Sequence, residues 1–191
     1  MKKLAVLITC LIFAGAVSAQ QHLTFKGVPI NGTLKAYTEA MVKAGFTHEG
    51  TKDGRAILSG DFAGYKGCLI GVSTLNGCDV VSEISVLFPE RGTWKSLLND
   101  YETLKSMLTE KYGKPASSEE KFTGYVGDND NYYIMKALQE EKYTWFTTFS
   151  TEQGEIELSV FAGVNDGGMV RLRYQDKANS EKVRSSAMDD L

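Results

Sequence analysis

One order of elements, a helix followed by four short strand-like segments, occurs twice along this chain and limits its possible folds more than any other feature. The second helix is the clearer one, because apolar residues between 94 and 112 recur at the spacing of one helix face. Gly113 follows where a glycine commonly ends a helix, and Pro115 prevents its continuation. The apolar stripe consists of Trp94, Leu97, Leu98, Tyr101, Leu104, Leu108 and Tyr112.

The first helix is predicted to start at Asn31-Gly32-Thr33 and to end at Gly45. Its apolar stripe comprises Leu34, Tyr37, Met41 and Val42. Turn residues, mostly with glycine, separate the strand-like segments that follow each helix. These segments are 46–51, 55–63, 66–74 and 78–88 in the first half, and 117–123, 143–151, 155–161 and 169–175 in the second. A short helix is also predicted from Tyr132 to Glu141, and a weak closing helix from Ala178.

These patterns predict an α+β protein made of two tandem units, each with a helix packed on one face of a four-stranded antiparallel sheet. The first unit spans 27–90. The second spans 91–177 and contains an insertion at 124–142. Residues 20–26 and 178–191 are predicted to be the N-terminal and C-terminal tails.

Strand alternation predicts which residues the helices leave uncovered. In the last three strands, Trp145, Leu158 and Leu172 belong to the set that meets the helix. The opposite set includes Thr144, Phe146, Thr148, Glu157, Arg171 and Arg173. Antiparallel pairing can place Glu157 across from Arg173. We expect an open, polar sheet face with the Phe146 ring exposed in it, which is either an ordinary solvated face or a surface that binds a partner.

The first nineteen residues have the pattern of a cleaved secretory signal peptide. Lys2 and Lys3 precede an apolar run, 4–16, and small residues at 17–19 favour cleavage after Ala19. Cys10 lies within the apolar run, with too little hydrophobic length before it for a lipid-attachment cysteine. We expect a periplasmic or secreted protein without a membrane span.

The composition argues against nucleic acid as a partner. The formal net charge is -3 at pH 7, and no cluster of Lys and Arg is present to neutralise phosphates. Three prolines and the lack of low-complexity sequence favour a compact globular chain.

Four segments together give a family resemblance. They are FKGVPINGTL, LSGDFAGYKGC, FPERGTWKSLLNDYETLKSMLTEKYGKP and VRLRYQDKANSEKV. They resemble a family of small exported proteins of unknown function from anaerobic gut bacteria, over most of the mature chain. That resemblance implies an envelope or secreted location and no active site. The element order alone is similar to the tandem β-lactamase inhibitor protein architecture, which carries no function.

No metal, cofactor or catalytic motif emerges from the residue pattern. His48, Glu49 and Asp53 lack the spacing of a zinc site. The segment 127–131, GDNDN, begins like an EF-hand but lacks its later ligands. The adjacent carboxylates Glu119 and Glu120 favour a solvated surface over the pair that hydrolyses glycosides. We predict no cofactor and no metal.

These patterns are compatible with two functional hypotheses. The first is a non-catalytic module that binds another exported or envelope protein, through the open face or the insertion at 124–142. The second is a hydrolase of envelope or dietary polymers whose site is scattered along the sequence. The oligomeric state is open.

Cys68 and Cys78 are the cysteines that remain if the signal peptide is removed. The apolar faces of their two strands coincide if a three-residue loop, 75–77, joins them. Cys68 then lies opposite Ile84, and the cysteines are about 20 Å apart along the ladder. A disulfide needs Cα atoms within about 7 Å, so we predict two free thiols, with Cys68 buried and Cys78 near the hairpin tip.

Overall fold

The computed structural model describes residues 21–75, 78–123 and 130–189, so the predicted signal peptide lies outside the described residues. In chain order the elements are β1 Thr24–Phe25, β2 Val28–Pro29, α1 Leu34–Lys43, β3 Thr47–Lys52, β4 Arg55–Phe62, β5 Tyr65–Thr74, β6 Val81–Leu87, α2 Trp94–Tyr112, β7 Ser117–Phe122, α3 Asn131–Gln139, β8 Tyr143–Ser150, β9 Gly154–Ala162, β10 Gly168–Asp176 and α4 Lys177–Asp189. No helix within these ranges is long and apolar enough to cross a membrane.

Strands β3 to β10 form one antiparallel sheet of eight strands, in the order β3-β4-β5-β6-β10-β9-β8-β7. The predicted α+β class with antiparallel strands is confirmed, but the division into two four-stranded units is wrong. β10 pairs with β6, which sets Tyr174 opposite Ile84 and Leu172 opposite Val86. Without this pairing, each of the two strands would leave a row of backbone N–H and C=O groups without partners.

Helices α1 and α2 pack on the same face of the sheet, α1 against β4 and β5 and α2 against β8, β9 and β10. The stripe of α2 is buried as predicted at Leu97, Tyr101, Leu104 and Leu108, and its other members are half-buried against the same core. In α1 the stripe is buried except at Val42, which is 46% exposed. Val42 follows Met41 by about 100° around the helix, which turns it away from the sheet.

The N-terminal segment packs into the core, although the sequence patterns predict only a tail there. Leu23, Phe25 and Ile30 are buried, and the Phe25 ring lies 5.5 Å from that of Tyr174. Apolar burial of this size stabilises the segment even though it forms only the two-residue strands β1 and β2. The first strand segment of the fold therefore begins before residue 27.

Helix α3 lies within the predicted insertion and is attached to α2. The Asp130 side chain accepts a hydrogen bond from the Tyr132 N–H, which is the usual N-cap arrangement. The Asn131 Oδ1 atom accepts one from the Trp94 N–H at the start of α2, at 2.8 Å. The closing helix is also present as α4.

The two cysteines are free, Cys68 buried and Cys78 exposed, as predicted. The register that led to this prediction is wrong, because Ile70 pairs with Val86 and Val72 with Ile84. The position opposite Cys68 is therefore level with Phe88, four residues further along the chain than the expected Ile84. The segment before β6 leaves the ladder because Asp79 accepts a hydrogen bond from the Leu34 N–H at the start of α1.

Candidate functional site on the open sheet face

The face of the sheet turned away from α1 and α2 is the open face. Residues that alternate with the buried set along each strand point to it. All six predicted residues lie there, namely Thr144, Phe146, Thr148, Glu157, Arg171 and Arg173. The first half of the chain adds Arg55, Ile57, Leu69, Gly71, Glu83, Ser85 and Leu87. The face is therefore about twice as wide as the sequence predicted.

A group of charged side chains lies at its centre. Arg173 pairs with Glu157 in the β9–β10 ladder, as predicted, and donates to Glu157 at 2.9 Å. Arg171 donates to the other oxygen of the same carboxylate at 3.0 Å. On the opposite side, an Arg173 nitrogen lies 3.8 Å from Glu83. Because these groups are partly exposed, each pair contributes about 0.2–1 kcal/mol.

Apolar side chains surround this charged group. Leu69 is 45% exposed and Ile57 is 41% exposed, while Leu87 lies opposite both Leu69 and Arg171 in its neighbouring strands. The guanidinium of Arg171 lies 5.9 Å from the centre of the Phe161 ring. Phe146, expected as an exposed ring, lies on this face and is half-buried. The face is a mixture of aliphatic, aromatic and arginine side chains.

Gly71, on β5, is a position of the open face that carries no side chain. Its φ is not positive, and an added Cβ would meet only Ser85, at 3.8 Å or more. The fold itself therefore does not need glycine at this position. Glycine in a strand costs stability, and it often marks a place where another backbone or ligand approaches closely.

A large cavity lies at one end of this face, beside the β3–β4 turn, and has a volume of about 1100 Å³. Gly50, Lys52, Arg55 and Ile57 line it. By the register of β3 and β4, these four residues belong to the open face. The sequence offered no signal for this cavity, because it depends on how the two strands are placed beside the β5–β6 connection.

A second polar cluster lies on the helix side of the sheet. The Tyr101 hydroxyl contacts Thr147 at 2.7 Å and Glu120 at 3.1 Å, and Lys105 donates to Glu120. Burial alone would raise the pKa of Glu120, but hydrogen bonds from Lys105 and other donors hold it below its usual value. These partners satisfy one another, so the cluster joins α2 to β7 and β8.

The carboxylate pair considered from the sequence does not act together. Glu120 bonds to Tyr101 on the helix side, whereas Glu119 alternates with it and forms an ion pair with Lys121. The two carboxylates therefore lie on opposite faces of β7. This geometry does not fit the facing acid and base of a glycoside hydrolase.

Two of the three residues considered as metal ligands, His48 and Glu49, form hydrogen bonds with other side chains. His48 Nε2 lies 2.9 Å from the Thr51 hydroxyl, and Glu49 accepts a hydrogen bond from Ser59. Across the described ranges, no group of three or more His, Cys, Asp or Glu side chains is arranged to hold a metal ion. Of the EF-hand-like segment, residues 127–129 lie outside the described residues, and Asp130 caps α3.

No protein-family model, no curated protein and no solved structure matches this chain.

Proposed function

We propose that this chain is an exported, non-catalytic binding module whose open face docks on another exported or envelope protein. The observation that carries the proposal is the composition of that face. Two exposed aliphatic residues, Ile57 and Leu69, share this face with partly covered aromatic rings and two arginines on other strands of the sheet. Aromatic and arginine side chains are the types enriched at protein interfaces and at their hot spots.

The rigidity of the sheet supports the same proposal. The face spans strands whose helix side is filled by a continuous apolar core, so its side chains are held in place before binding. A preorganised surface loses less conformational entropy when a partner docks. Because Gly71 has no side chain, a partner side chain or backbone can approach the sheet closely there, at a position where the fold tolerates a larger residue.

Export is part of the proposal and rests on the sequence of residues 1–19, with their positive start, apolar run and small residues before Gln20. An exported partner is implied, because a protein in that compartment meets other exported or envelope proteins.

Cross-linking in the envelope fraction of the producing cells tests the proposal. We compare the unaltered protein with Leu69→Asp and Gly71→Val, and with Met107→Asp as a control. Met107 is 47% exposed on α2, on the helix side of the molecule. The expected result is one reproducible cross-linked partner for the unaltered protein and for Met107→Asp. For the two open-face variants, the yield of that cross-linked product should fall by at least about tenfold.

Gly71→Val separates binding from folding. Valine favours strands, and nothing lies within 3.8 Å of the added Cβ, so the thermal stability should be retained. Equal capture by all four proteins, or no reproducible partner for the unaltered protein, would show that the open face is an ordinary solvated surface.

A further inference from the structure

The β9–β10 loop, residues 163–167, presents an apolar side chain at an unusual position. Val164 is 86% exposed, although turns ordinarily carry Gly, Asn, Asp or Ser. Valine offers no conformational advantage in a turn, because its branched Cβ favours extended backbone. Its presence at the tip therefore has no explanation in the conformation of the loop.

The loop is held rigidly around this side chain. The Glu90 carboxylate accepts hydrogen bonds from the Asn165 N–H at 2.9 Å, the Gly167 N–H at 2.9 Å and the Asn165 side-chain amide at 3.0 Å. The Gly163 N–H closes the loop on the Gly167 carbonyl, and Gln139 of α3 donates to that carbonyl at 2.7 Å.

Glycine is required for this arrangement. A Cβ on Gly163 would lie 2.2 Å from a Glu90 oxygen, and one on Gly167 would lie 2.6 Å from the Glu90 side chain. The tip is thus a preorganised projection that carries Val164, with the exposed carboxylate of Asp166 two residues further on. A rigid apolar projection is an effective interface anchor, since little entropy is lost when it is buried.

The same molecule has a cleft with complementary chemistry. The cavity beside the β3–β4 turn exposes the aliphatic side chain of Ile57 between the two glycines Gly50 and Gly71 of the neighbouring strands. Lys52 and Arg55 are exposed at its rim, and neither forms an ion pair with another described residue.

The acidic groups of the cleft are mostly engaged. Asp79 caps α1, and Glu49 accepts a hydrogen bond from Ser59. The third acidic residue of the lining, Asp53, has no side-chain partner among the described residues. Lys52 and Arg55 are therefore available to an incoming carboxylate.

We propose that the Val164 tip of one copy docks in the Ile57 cleft of a second copy, with Asp166 against Lys52 and Arg55. The β9–β10 loop and the β3–β4 turn lie at opposite ends of the sheet. A twofold axis can therefore form the same contact twice and close the assembly as a dimer. This self-association does not require the partner proposed above, but its cleft shares Ile57 with the open face, so a partner bound there would compete with it.

Sedimentation velocity over a concentration series tests the dimer. The unaltered protein should show a reversible, closed monomer–dimer equilibrium. Val164→Asp should weaken it by about tenfold or more, since it places a charge in the contact. Val42→Asp is the matched control, because Val42 is an exposed valine on α1 and should leave the equilibrium unchanged.

A charge exchange adds a second readout that a folding defect cannot imitate. Asp166→Arg and Arg55→Glu should each weaken the dimer, and the two together should restore it to within a few-fold, because the ion pair is re-formed with its signs reversed. A monomer at all concentrations would overturn the dimer and leave the open-face proposal standing. The proposed contact would also be overturned if Val164→Asp left the monomer–dimer equilibrium unchanged, or if the double variant did not restore dimerisation.

Discussion

Asp176, at the end of β10, joins the two ends of the described chain. Its carboxylate is fully buried and accepts hydrogen bonds from the Leu23 N–H at 2.8 Å and the Asn179 N–H at 2.9 Å. His22 Nδ1 lies 3.0 Å away, and His22 Nε2 lies 2.9 Å from the Asn31 side-chain amide. Since that amide donates, the neutral ring carries its proton on Nδ1 and donates it to Asp176.

Removing this carboxylate should be costly. Asp176→Ala is expected to lower the free energy of unfolding by about 2–4 kcal/mol, because it leaves buried N–H groups without an acceptor. Urea unfolding, monitored by circular dichroism, measures the change in the free energy of unfolding. Glu152→Ala, at an exposed position, is the control and should change it by less than about 0.5 kcal/mol. Similar values for both variants would show that the buried network contributes little.

Strand alternation in the sequence predicted which residues lie on the open face. It did not predict the hydrogen bonds that Asp176 forms with the N-terminal segment. Glu157 and Arg173 are separated by one hairpin, so a period of two and an antiparallel ladder suffice to predict their contact. His22 and Asp176 are 154 residues apart. No local pattern links them, because their contact depends on where the N-terminal segment packs.

At the scale of elements, the β9–β10 loop depends on one ionised carboxylate. The N–H of Asn165 is the main cause that lowers the pKa of Glu90, with further donors from the Asn165 side chain and Gly167. A lowered pKa means that the hydrogen bonds are fully present above the ordinary range of a carboxyl group. They are lost as the pH falls through the lowered value.

The loop should therefore keep its hydrogen bonds until the pH falls below the usual range of a glutamate. We expect the amide resonances of Asn165 and Gly167 in a ¹H–¹⁵N NMR titration to move together below the usual pKa of glutamate, and Glu90→Gln to abolish that step. Resonances of Leu172, in the centre of β10, serve as the reference. A titration at the ordinary glutamate value would mean that the loop does not hold the carboxylate in solution.

The helices were easier to predict than the strand registers. The stripe of α2 has seven apolar residues at helical spacing, and local geometry alone determines which face they occupy. The β5–β6 register was predicted wrongly because Asp79 accepts a hydrogen bond from the Leu34 N–H at the start of α1. That contact lies outside the hairpin. The alternation of side chains along β5 still placed Cys68 correctly on the buried face. A register change of four residues is even, so it leaves every side chain on the same face of the sheet.

At the scale of the whole molecule, the two halves share one sheet and one core. β6 and β10 pair through five residues on each strand, from Leu87–Arg171 to Glu83–Gln175. The Tyr65 hydroxyl of the first half also donates to Asp100 of α2 at 3.2 Å, and Asp100 pairs with Arg91. Burial and the Asp100 charge raise the pKa of Tyr65 to about 12.

The two halves should consequently unfold together. Fluorescence of Trp94 and Trp145, both in the second half, and far-ultraviolet circular dichroism of the whole chain should give the same midpoint in urea. Separate transitions would instead restore the view of two independent units. The contacts made by β6 with β10 are the physical reason for a single transition.

The sequence by itself determined the α+β class, the helix α2, the faces of the strands and the free state of the two cysteines, because each depends on periodicity or on distance along one hairpin. Tertiary structure decided that all eight long strands form one sheet, that the N-terminal segment enters the core, and that residues from both halves make up the open face and its cleft. These features arise from contacts between distant segments. They form where unpaired backbone groups and apolar surface find partners, and local sequence does not specify those partners.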